Sequence, residues 1–114
     1  MKSIIAAITF ATLSLSYTPQ AEASNIAQNL CDYVNVDNKS KLRSYLKSNK
    51  LKIRNVFDSI SCNGQNLLEF AAAKNSTETG SMIIGKLSKK VVSSNLASIA
   101  STELALIAEK RVSS

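Results

Sequence analysis

The chain has 114 residues, with 14 lysines and arginines against 8 acids and a formal net charge of +6. It contains no histidine, so the usual general base and the commonest metal ligand are missing. Its two cysteines alone make a poor zinc set, and no cofactor and no metal is expected.

The chain begins "MKSIIAAITFATLSLSYTPQAEASN". Lys2 is followed by an uncharged apolar run from Ile4 to Leu15, then Pro19 and the small-residue pattern Ala21-Glu22-Ala23. This is the layout of a secretory signal peptide, residues 1–23, cleaved after Ala23. The apolar run is too short and wrongly flanked for a membrane span. "QNLC" before Cys31 lacks the small residues that precede a lipidated cysteine. The expected product, residues 24–114, is a single small domain with a core at about 26–92. It is periplasmic or secreted and not an integral membrane protein.

Beyond the leader no proline remains, which suits a helical chain. Ser24 can cap a first helix in which Ile26, Ala27, Leu30, Cys31 and Val34 share a face. Cys31 and Cys62 are the whole cysteine complement, so an exported chain has one intramolecular pairing available. The two are not spaced as a redox Cys-x-x-Cys pair, and a structural disulfide is expected.

Asp37 or Asn38 can cap a second helix. Along it Leu42, Tyr45 and Leu46 share one face, while Lys39, Arg43, Lys47 and Lys50 recur at spacings of three and four on another. No acid interrupts Lys39 to Arg54. The helix is expected to end at Asn49 in a left-handed turn. "LKIRNVF" alternates briefly and is read as extended, with Leu51, Ile53, Val56 and Ile60 inward and Lys52 and Arg54 outward.

Asn63-Gly64 signals a tight turn, and Asn66 a cap for a helix from Leu67. Leu67, Leu68, Phe70, Ala71 and Ala72 supply its inner face, and Glu69 stands where the helix dipole favours an acid. A further helix is expected from Thr77 to Leu87, with Met82, Ile83 and Leu87 apolar; Gly80 and Gly85 either weaken it or permit close packing. Val91-Val92 pack or extend. A C-terminal helix at about 101–111 has Ser101 as its cap, with a longer helix from Ser94 the equal alternative, and the last residues, Val112 to Ser114, are expected to fray. The fold class expected is all-α, a small domain of four to five short helices with one disulfide.

Two resemblances add to this. "NGQNLLEFAAAKNSTETGSMIIGKL" resembles part of an ankyrin repeat, with Gly64, Asn66, Leu67, Leu68, Ala71 and Ala72 at the turn, cap and Leu-x-x-Ala-Ala positions. Asparagine and leucine replace the capping threonine and the proline, and Glu69 the usual histidine. The resemblance implies a helix, a projecting extended turn and a helix pair. More broadly, Leu30-Cys31, the basic Lys39–Arg54 segment, and Cys62-Asn63-Gly64 with Leu67, Leu68 and Phe70 are similar to small exported proteins of gammaproteobacteria grouped as domain of unknown function 3718. That resemblance implies no activity.

The chemistry on offer is sparse. Ser40-Lys41 and Ser88-Lys89 could form a serine–lysine pair and Asp58 with Glu69 a carboxylate pair, but nothing signals an oxyanion hole. A non-enzymatic binding or interaction module is expected. Its face would be Lys39, Arg43, Lys47, Lys50, Lys52 and Arg54, its partner an envelope protein or anionic envelope surface. The alternative is an inhibitor or accessory subunit of an exported enzyme, using Leu51–Ser61 as its contact loop; a minimal hydrolase ranks last. On charge pattern alone the preferred reading is plainer, a solvated face that keeps the protein soluble. Tyr45, Phe57 and Phe70 read as core, so there is no strong nucleic-acid signal.

Overall fold

The computed structural model describes the backbone of residues 18–114 and the side chains of residues 25–114. Most of the expected leader, residues 1–17, lies outside the described residues. The helices are α1 (Thr18–Asn35), α2 (Lys39–Ser48), α3 (Ile53–Val56, running into a 3-10 turn at Phe57–Ser59) and α4 (Leu67–Ala73). They continue as α5 (Thr77–Lys86), α6 (Lys89–Asn95, followed by a 3-10 turn at Ala97–Ile99) and α7 (Leu104–Ser113). The fold is all-α with one disulfide. Among the described residues there are seven helices rather than four or five.

One corner is used three times. At the ends of α1, α2 and α4 a non-glycine residue takes a left-handed conformation: Asp37 (φ 54°), Lys50 (φ 54°) and Asn75 (φ 57°). Each is the pivot of a Schellman motif. At α2, Lys50 N–H donates to the Lys47 carbonyl at 3.2 Å and Leu51 N–H to the Leu46 carbonyl at 2.8 Å. At α1 the equivalent bonds are Asp37 to Val34 and Asn38 to Tyr33; at α4 they are Asn75 to Ala72 and Ser76 to Ala71. The left-handed residue after α2 is therefore Lys50, not the expected Asn49, whose φ is −99°. These corners satisfy the last carbonyls of one helix and start the next within three or four residues, so short helices accumulate.

The connection after α2 also departs from expectation. Leu51 and Ile53 alternate as in a strand, but Ile53, Val56, Phe57 and Ile60 repeat at helical spacing, and the helical period prevails. Lys52 enters in extended conformation, and its carbonyl accepts from Asn55 and Val56. Ile53, Phe57 and Ile60 are buried. The segment is thus short helix and 3-10 turn lying on the core, not the extended projecting turn of an ankyrin-like unit.

Beyond Ile60 the chain makes the turn that its residue types specify. Asn63 (φ 53°) and Gly64 (φ 81°) are both left-handed, and Cys62 and Gln65 exchange two backbone hydrogen bonds across them, at 2.7 and 3.0 Å. Positive φ at both central residues is the demand of a type I′ reversal. Asn66 then starts α4 with a reciprocal capping box: its side chain accepts from Glu69 N–H, and the Glu69 carboxylate accepts from Asn66 N–H. The Cys31–Cys62 disulfide, Cα atoms 5.8 Å apart, ties the C-terminal part of α1 to the residue that opens this turn. Covalent link, reversal and cap thereby set α4 against α1.

The core gathers around α5, which touches α1, α2, α3, α4 and α7. Thr79, Gly80, Ile83 and Ile84 are buried on it. A methyl group at Gly80 would lie 2.4 Å from a Leu104 methyl, so glycine lets α7 approach closely; nothing lies within 4 Å of the same position at Gly85. The start of α5 is capped from another helix end. The Asp37 carboxylate accepts from Glu78 N–H (3.3 Å), Thr79 N–H (2.8 Å) and the Thr79 hydroxyl (3.0 Å). Ser76, which precedes α5, instead donates its hydroxyl to the Val34 carbonyl at 2.6 Å. Of the two candidate caps for α2, Asn38 serves, accepting from Lys41 N–H.

Two further expected caps are revised, and one open reading is resolved. Residues on both sides of Ser24 belong to α1 (Thr18–Asn35). Ser24 is therefore inside the helix, and the expected cleavage point falls within it. Of the two readings for Val91-Val92, packing holds: Val92 is buried, on a helix that Ser88 caps by accepting from Val91 N–H. Ser101 caps nothing: α7 begins at Leu104 and continues through Ser113, and the Ser113 and Ser114 hydroxyls donate back to the Glu109 and Arg111 carbonyls.

Candidate functional site: a cation-rimmed groove

The Schellman corner after α2 has a consequence for the surface. It folds Leu51 back beside Leu46 and turns the chain so that Lys52 and Arg54 run along the helix that carries Arg43 and Lys47. Helix α5 lies alongside and adds Met82 and Lys86, one turn apart. Together these residues and Ile53 line a half-open groove of about 390 Å³. Its floor is apolar: Leu46 and Ile53 are buried, while Leu51 and Met82 are half-buried. Its rim carries five cations, Arg43, Lys47, Lys52, Arg54 and Lys86, all exposed, and no acid lines it.

The six expected face residues divide. Arg43 and Lys47 from the helix and Lys52 and Arg54 from the connection come together in the groove. Lys39 turns away to Glu78 at 3.9 Å, a partly exposed pair of the kind that contributes little to stability. Lys50 is the corner pivot, exposed outside the groove. Sequence reading missed Lys86 and the role of Met82. Their spacing of four marks one face of α5, but only the packing of α5 beside α2 turns that face to the groove.

The other candidates have structural partners. Cys31 and Cys62 are joined, and no free cysteine remains. Glu69 and Asn66 are committed to the capping box, which occupies one member of the Asp58–Glu69 pair. Ser88 caps α6. A second, more polar cleft of about 320 Å³ borders the disulfide, where Lys74 sits 5.5 Å from the centre of the Phe70 ring. Among the described residues no group of three or more Asp, Glu or Cys side chains is placed to hold a metal ion, and no helix is long and apolar enough to cross a membrane.

These features define a small all-α domain closed by one disulfide. The chain belongs to the family described as protein of unknown function DUF3718, whose model matches residues 30–94. No curated protein and no solved structure matches it. The matched stretch runs from Leu30 on α1 to Ser94 on α6; it holds both cysteines, the Asn63-Gly64 turn and every residue lining the groove.

Proposed function

We propose that the protein is a non-enzymatic binding module of the cell envelope or the extracellular space, and that the cation-rimmed groove holds an anionic partner. The single observation that supports this is convergence: four of the six basic residues singled out by sequence, with Lys86 from a distant helix, surround one concavity free of lining acids. Charges that served only to solvate a surface would have no reason to meet there. Five like charges around one groove repel each other, and an anion relieves that repulsion. Each exposed pair is worth about 0.2–1 kcal/mol, so binding through the rim is weak and salt-sensitive. Export is supported by the amino-terminal pattern and by the disulfide, which persists in oxidising compartments.

The test is retention of the oxidised protein on immobilised polyglutamate across a salt gradient. The variant with Arg43, Lys47, Lys52, Arg54 and Lys86 changed to Gln should elute at markedly lower salt than wild type. A control of equal net charge, with Lys41, Lys74, Lys89, Lys90 and Lys110 changed to Gln, should elute close to wild type. If both variants shift alike, net charge and not the groove governs binding, and the proposal fails.

A further inference from the structure

Resting on that reading, we infer that the occupant of the groove is an acidic segment of a partner protein that carries an apolar side chain, and not a lipid surface. Three observations point there. First, the rim is distributed. Its cations come from α2, from the corner, from α3 and from α5, and all are exposed. A single phosphate is matched by one or two such donors, whereas five cations around one apolar floor match several carboxylates spaced along a chain. Two of the five are arginines, whose planar fork pairs two-to-two with a carboxylate.

Second, the floor is apolar but shallow. Leu46 and Ile53 are only 7% and 2% exposed, so they close the groove from below. The accessible apolar surface is Leu51 and Met82, enough to cover one or two side chains. Methionine is flexible and polarisable, and adapts to side chains of different shape. Third, the site is concave. A planar layer of head groups would meet the rim and leave the floor bare, while a projecting side chain flanked by acids would satisfy floor and rim together.

The experiment uses the oxidised full-length processed protein and fluorescence anisotropy at low salt. One labelled probe is a glutamate-rich peptide carrying two leucines. A second is the same peptide with serine at those two positions. Unlabelled vesicles of phosphatidylglycerol in phosphatidylcholine serve as competitor. Burial of about one leucine side chain should make the first peptide bind roughly tenfold tighter than the second. Met82→Gln should reduce that preference, read as the ratio of the two peptides' affinities for the same variant, and vesicles should not displace the leucine peptide. Equal affinities for the two peptides in wild type would overturn the inference and leave the polyanion reading standing, a comparison that depends on no variant folding. Displacement by the vesicles would overturn it in favour of a lipid surface. Failure of both peptides to bind, with polyglutamate retained, would overturn it too; failure with polyglutamate also lost would remove the proposed function beneath it.

Discussion

Reducing the Cys31–Cys62 bond should remove a large part of the domain's stability. The two residues are 31 apart in sequence. In the chain-entropy model a closed loop of about that length lowers the unfolded state's entropy by about 12 cal/mol/K, or about 3.7 kcal/mol at 25 °C. A small domain has only about 5–15 kcal/mol in total. The bridge joins the C-terminal part of α1 to the reversal that launches α4. The measurement is urea unfolding followed by circular dichroism, for the oxidised protein and for a Cys31→Ser, Cys62→Ser double variant. With a slope of about 1 kcal/mol/M for a chain this short, the midpoint should fall by about 3–4 M, which leaves a marginal fold. Midpoints that coincide within about 0.5 M would refute the reasoning, because loop closure would then contribute little to stability at that slope.

Substitutions at four other positions test the corners and the packing. Lys50→Gly should raise stability by about 1 kcal/mol, since glycine removes the cost of a β-carbon in the left-handed pivot; thermal melting would register it as a higher Tm. The two glycines of α5 should respond oppositely to alanine. Gly85→Ala should stabilise by about 0.5–1 kcal/mol, while Gly80→Ala should destabilise by on the order of 1 kcal/mol as it displaces the buried Leu104 side chain, both read from urea midpoints. Asp37→Ala should cost about 1–2 kcal/mol, because the amides of Glu78 and Thr79 lose their acceptor. Asp37→Asn should recover most of that loss, since asparagine also tolerates the left-handed conformation and keeps an acceptor oxygen.

What the sequence made legible was local chemistry with few solutions. Two cysteines have one intramolecular pairing, and Asn63-Gly64 has one cheap reversal. Asn66 followed three residues later by Glu69 is a cap pattern in any fold. What it hid depended on competition or on packing. Lys50 took the left-handed position ahead of Asn49 because the corner's register is set by Leu51 returning to Leu46, not by intrinsic preference. Leu51 to Ile60 carried both a strand-like and a helical period, and burial of Ile53, Phe57 and Ile60 selected the second. Asp37 looked like a cap for the helix next to it and serves one forty residues away, through a contact that no spacing rule encodes. The groove was half legible for the same reason. Arg43, Lys47, Lys52 and Arg54 belong to one basic run, but Lys86 and Met82 join them only once α5 is placed beside α2.

The position of the anion site can be measured by amide chemical-shift mapping of the isotope-labelled oxidised protein during titration with polyglutamate. Shifts concentrated at residues 43–54 and 82–86, and reversed by added salt, are the expected result. Shifts spread evenly over the surface, or gathered near Lys89, Lys90 and Lys110, would contradict the assignment of the groove as the binding site.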